Sequence, residues 1–200
     1  MSPFDEIDED LGSAEWRKRI VGLQVTYAGI GISVVGFAVL TAFVIRSVGS
    51  PQAPSASDVE FLRTLSLINA ALACGAVLPA WMVPRALLSP RRLAARIARP
   101  GRRDAAKTVA MRCFEALVSA SLLRGACLEA AATFGLVVCL VGGLNGVIQS
   151  RIEFWWNAAP AAAALGYVLC TIPTRSRITP RLGEIVSRVR PLLEEAPPQP

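Results

Sequence analysis

The sequence predicts an all-α membrane protein with four transmembrane helices and a basic amphipathic helix, cytoplasmic or interfacial, before the third. Three observations predict it. The 200-residue chain is 53% hydrophobic and only 18% charged, against about 25% charge in an ordinary soluble domain. Its apolar residues gather in four blocks, each near or above the ~20 residues that cross a ~30 Å hydrocarbon core at ~1.5 Å per residue. Its Lys and Arg fall overwhelmingly between alternate blocks, as they do when one side of a membrane retains them.

Taken in order, residues 1–19 form an acidic and then basic N-terminus ending in Arg17-Lys18-Arg19. The first segment, 20–45, is far longer than the 7–15 apolar residues of a signal peptide, so it reads as a membrane anchor. Residues 46–60 are a Ser-, Pro- and Gly-containing external linker. The second segment, 61–83, is interrupted by Pro79 and closed by Pro84, because proline donates no helical N–H. Residues 84–121 form a basic cytoplasmic loop in which Ala106, Val109, Ala110, Cys113, Leu117 and Ala120 recur at helical spacing. That pattern predicts an amphipathic helix starting after Pro100-Gly101 and running into the third segment, 122–147. An external turn, 148–153, leads to the fourth segment, 154–172. The cytoplasmic tail, 173–200, carries a short amphipathic stretch around Leu182 to Leu193.

Charge sets the expected orientation. The net charge is +6 and the pI about 9.5, values that in a soluble chain would suggest nucleic acid as a partner. The distribution explains them otherwise. Eighteen Lys and Arg lie on one side, counting Arg124, against Arg46, Arg63 and Arg151 on the other. By the positive-inside rule both termini are cytoplasmic, and the partner is a bilayer rather than nucleic acid. The expected location is a bacterial inner membrane. Trp16 then falls at the inner interface and Phe154-Trp155-Trp156 at the outer one, where aromatic belts belong. Arg91, Arg92, Arg96, Arg102 and Arg103 are the residues expected to meet anionic headgroups.

Catalysis finds no material. The chain has no His, which removes the commonest general base and metal ligand together. It has no Gly-rich phosphate loop ending in Lys-Ser or Lys-Thr. No catalytic residue, metal site or cofactor is therefore expected. The five cysteines, Cys74, Cys113, Cys127, Cys139 and Cys170, sit singly among apolar neighbours and read as buried free thiols.

Two signals remain. Small residues form seams that let helix backbones approach in lipid: Gly22, Thr26, Gly29, Ser33 and Gly36 in the first segment, and Gly135, Cys139 and Gly142 in the third. Ser66, Asn69, Ala70, Ala73, Ala76 and Ala80 make a similar stripe in the second. These seams serve packing within one bundle or, for the first helix, a homo-oligomer. The other signal is Glu129, the only acid inside a long apolar segment. A charged side chain at a helix centre costs roughly 2.5–3.5 kcal/mol on insertion scales, so it needs a partner or a task. Arg63 and Asn69 are partners only if segments two and three adjoin at matching depth. If Arg124 marks the inner interface, Glu129 lies about 7 Å deep by helix rise.

The run Leu122-Leu123-Arg124-Gly125-Ala126-Cys127-Leu128-Glu129-Ala130, continued by Thr133-Phe134-Gly135-Leu136-Val137-Val138, resembles the proton-binding second helix of the rotary ATP synthase c subunit. Ile97-Ala98-Arg99-Pro100 is similar to the polar loop of that hairpin. The resemblance, confined to this part of the chain, implies that Glu129 is a proton-binding carboxylate. Two functions are thus expected: a non-enzymatic structural or accessory component of a membrane complex, or proton or ion translocation through Glu129.

Overall fold

A computed structural model describes residues 14–47, 53–98 and 109–194. Among these every regular element is a helix and none is a strand. In chain order they are α1 (Ala14–Ser47), α2 (Ala56–Leu87), α3 (Pro90–Ala98), α4 (Val109–Leu144), α5 (Val147–Ser150), a 3-10 stretch (Ile152–Ala158), α6 (Ala159–Thr171) and α7 (Arg175–Glu194). Three of them, α1 from Trp16, α2 and α4, are long and apolar enough to cross a membrane.

The long helices depart from expectation at their ends, for identifiable reasons. α2 begins in a reciprocal cap: the Asp58 N–H donates to Ser55 Oγ at 3.2 Å, and the Ser55 N–H donates to Asp58 Oδ2 at 3.1 Å, satisfying two otherwise orphan donors. It then passes through both Pro79 and Pro84 to Leu87, past the end that the sequence predicted at Val83. Membrane helices tolerate proline when the freed carbonyls find other donors. α4 is one helix of 36 residues, so the loop helix and the third segment are continuous across Val109–Leu123, where neither Gly nor Pro intervenes. The start expected after Pro100-Gly101, like Arg102 and Arg103, lies outside the described residues. α4 ends at Leu144 because Gly146 turns the chain at φ 71°, a left-handed conformation that glycine takes without strain.

The chain divides into two compact units. The first comprises 1–26, 81–123 and 172–200. Its core gathers Trp16 and Ile20 of α1, Leu93 and Ala94 of α3, Cys113 and Phe114 of α4, and Ile178, Leu182, Val186 and Val189 of α7. Trp16 is only 3% exposed and meets Phe114 edge-on, ring centroids 4.6 Å apart. The ring thus packs into this core and does not face outward, as an aromatic side chain with a large apolar area does when a partner ring is at hand. The tail helix is longer than the stretch read from sequence, because Ile178 extends its apolar stripe toward Thr174.

The second unit comprises 27–80 and 124–171. One cluster in it joins Leu62, Val138, Cys139, Val147, Ile148 and Phe154, and another joins Val34, Ala132, Leu136, Ala161 and Ala164. Phe154 is core, while Trp155 and Trp156 stand at 43% and 80% exposure. No cysteine forms a disulfide, but only Cys113 and Cys139 are buried; Cys74 and Cys170 are exposed, so burial does not extend to all five.

Candidate functional site

Glu129 lies on α4 at the edge of a packed face whose neighbours Gly125, Ala132 and Leu136 are buried. It is itself half-buried and forms no hydrogen bond or ion pair among the described residues. Its nearest basic residue in sequence is engaged elsewhere. Arg124 Nε donates to the Ala80 carbonyl at 2.7 Å, and its guanidinium lies 6.0 Å from the Tyr167 ring. The Tyr167 hydroxyl in turn faces that of Tyr27 at 3.3 Å. The five-residue offset between positions 124 and 129 puts them on different helix faces, which keeps the pair apart.

Asn69 is committed as well. Its Nδ2 donates to Asn157 Oδ1 at 3.0 Å, while Asn157 Nδ2 donates to Ser66 Oγ at 2.8 Å and to the Phe154 carbonyl at 2.9 Å. Both amides are under 5% exposed, and Asn69 Oδ1 is buried with no donor. Asn157 was missed in the sequence because it stands in the aromatic start of the fourth segment. The signal available was a second Asn inside an apolar block, since buried amides seek each other in lipid.

The small residues divide sharply. At Gly135 a methyl group would overlap the Asn157 carbonyl, at Gly142 it would press into Leu62 and Ile148, and at Gly143 into Ile45. These glycines sit where α4 meets its neighbours closely. Gly22, Gly29 and Gly36 have open space where a side chain would be, and Thr26 and Ser33 between them are exposed. Gly29, Ser33 and Gly36 therefore face away from the described residues, Gly22 and Thr26 border a cavity shared with α3 and α4, and Asn69 and Ala80 of the α2 stripe are buried.

On α3, Arg91, Arg92 and Arg96 are exposed and Leu93 and Ala94 buried, an amphipathic turn with its charge outward. Arg112 Nη1 donates to the Ile97 carbonyl at 2.7 Å, tying the end of α3 to α4. Arg19 Nη1 meets Glu115 Oε1 at 3.4 Å. Gln24 Nε2 donates to the Pro173 carbonyl at 2.8 Å just before α7. Among the described residues no three His, Cys, Asp or Glu converge as metal ligands would.

These features define a helical protein with three candidate membrane-spanning helices. Set beside protein-family models, characterised proteins and solved structures, the chain matches none.

Proposed function

We propose that this chain is a four-crossing, non-enzymatic integral protein of a bacterial cytoplasmic membrane, structural or accessory to a membrane complex, with both termini cytoplasmic. The observation that carries the reading is the outward face of α1 and α2. Ile32, Phe43, Leu67 and Leu78 are 61–72% exposed, and in each helix only 11% of an apolar 18-residue stretch is buried. Contiguous apolar surface on this scale requires lipid or a partner.

A fourth crossing is supported by length. Seven 3-10 residues at ~2.0 Å each and thirteen α-helical residues at ~1.5 Å give about 33 Å, against a ~30 Å core. Orientation is supported by charge. The sequence ranges of the first unit hold seventeen of the 21 Lys and Arg and the whole net charge of +6, and those of the second unit sum to zero. Gly29, Ser33 and Gly36, exposed on α1, support the accessory role, since close-packing small residues facing outward suit another helix, from a second copy or from a complex.

The test is topological. Fusions of alkaline phosphatase, active only outside, and green fluorescent protein, active only inside, are placed after residue 200 and within residues 46–60. The proposal expects fluorescence at 200 and phosphatase activity in the linker. Phosphatase activity at both sites would mean three crossings and end the four-crossing reading.

Proton translocation through Glu129 is the rival reading. It draws on one observation, that the acid has no partner on the described chain.

A further inference from the structure

The first unit contains a cavity of about 560 Å³ walled by α1, α3 and α4, within the range of small-ligand sites. Three guanidinium groups line it, each from a different helix: Arg19, Arg96 and Arg112. Glu115 is the single acid among the described lining residues and pairs with Arg19. Arg112 is held in place by the Ile97 carbonyl. Arg96 is exposed and makes no hydrogen bond or ion pair among the described residues. The remaining wall is largely apolar, with Leu23, Val118 and Leu122. On α1 and α4 the charged positions 19, 112 and 115 precede the apolar positions 23, 118 and 122 by about one to three turns, toward the apolar spans, with the uncharged Thr26 and Ser119 among them. The cavity thus passes from cationic to hydrocarbon-like along both helices.

We propose that this cavity binds one anionic phospholipid, its phosphate on Arg19, Arg96 and Arg112 and the start of an acyl chain along Leu23, Val118 and Leu122. Guanidinium groups form strong, charge-assisted hydrogen bonds to phosphate oxygens. An apolar wall continuous with the phosphate site is what separates a lipid from a soluble anion. Glu115 fixes Arg19. The inference deepens the membrane reading above and rests on it.

The test uses the purified full-length protein in detergent, titrated with dioleoyl phosphatidylglycerol or dioleoyl phosphatidylcholine and read by native mass spectrometry. One phosphatidylglycerol per chain should be retained in preference to phosphatidylcholine. Arg96→Ala should weaken that retention about tenfold, the weight of one charge-assisted contact. Val118→Trp, which fills the apolar end and leaves the charge unchanged, should weaken it as well. Arg181→Ala, exposed on α7 and outside the cavity, should leave it unchanged. Equal retention of the two lipids overturns the proposal, as does a loss at Arg181→Ala matching that at Arg96→Ala, which marks diffuse surface charge. Displacement of the lipid by millimolar inorganic phosphate, with Val118→Trp silent, assigns the site to a free anion instead. Thermal melts confirm that each variant is folded, and Arg96, being exposed, can be changed without disturbing the core. Release of the chain from membranes by alkaline carbonate would overturn the membrane reading itself, an outcome separate from any lipid count.

Discussion

Arg124 supplies the hydrogen bond that the Ala80 carbonyl loses to proline. In an α-helix the carbonyl of residue 80 accepts from the N–H of residue 84, and residue 84 is Pro. Ala80 is 5% exposed, so its carbonyl has little access to water, and Arg124 Nε reaches it at 2.7 Å. The arginine that sequence alone placed as a marker of the membrane interface is a substitute helix donor.

This relationship predicts a compensating pair. Arg124→Leu should lower stability by about 1–3 kcal/mol, the cost of an unsatisfied buried polar group. Pro84→Ala in the same background should recover much of that loss by restoring the N–H. Thermal unfolding in detergent measures both, and a double variant as unstable as the single one would refute the exchange.

The amide pair predicts an asymmetry. Asn157 takes part in three side-chain hydrogen bonds, whereas Asn69 also carries an oxygen with no donor. Asn157→Ala should therefore destabilise more than Asn69→Ala. A double-mutant cycle should give a coupling of about 0.6–1.7 kcal/mol, the range found for hydrogen bonds between membrane helices. A coupling of zero would mean that the two amides act independently.

Glycine substitutions should separate the two seams. Gly135→Ala and Gly143→Ala should each cost about 1–3 kcal/mol through overpacking, because the added methyl meets Asn157 or Ile45. Gly29→Ala and Gly36→Ala should leave the melting temperature unchanged or raise it, since alanine is the better helix former by ~1 kcal/mol. If the α1 seam pairs two copies, Gly29→Leu should abolish crosslinked dimers in membranes without lowering that temperature.

Single-tryptophan variants in vesicles containing brominated lipid should divide by burial. Trp156, at 80% exposure, should be strongly quenched and Trp16, at 3%, weakly. Quenching of Trp16 equal to that of Trp156 would contradict the core built around Phe114.

Proton flux into vesicles decides between the two functional readings. The accessory role expects background flux from the wild type and from Glu129→Gln alike. Flux above background that disappears only in Glu129→Gln would establish the carboxylate as a proton site.

Much of the fold was legible because its strongest determinants are local. Three long apolar segments were placed within helices that contain or largely overlap them, since hydropathy and length alone specify a helix long enough to span. The buried face of α2 could be read from its spacing of Asn69 and Ala80. Faces were harder for α1, where the sequence left the Gly29 seam open between an inward and an outward role and did not show that Trp16 is buried. Lipid tails and a protein core are equally apolar, so hydrophobic periodicity cannot tell which face of a membrane helix turns inward.

The sequence by itself determined the all-helical class, the candidate spans, the separation of basic from neutral regions and the isolation of Glu129. Each follows from composition along a continuous stretch. Only the tertiary structure decided who meets whom: Arg124 with Ala80 rather than Glu129, Asn69 with Asn157, and Arg19, Arg96 and Arg112 around one cavity. Those pairings join residues 44, 88 and up to 93 positions apart. They depend on how helices rotate about their axes and slide along one another, which local sequence leaves open and packing fixes.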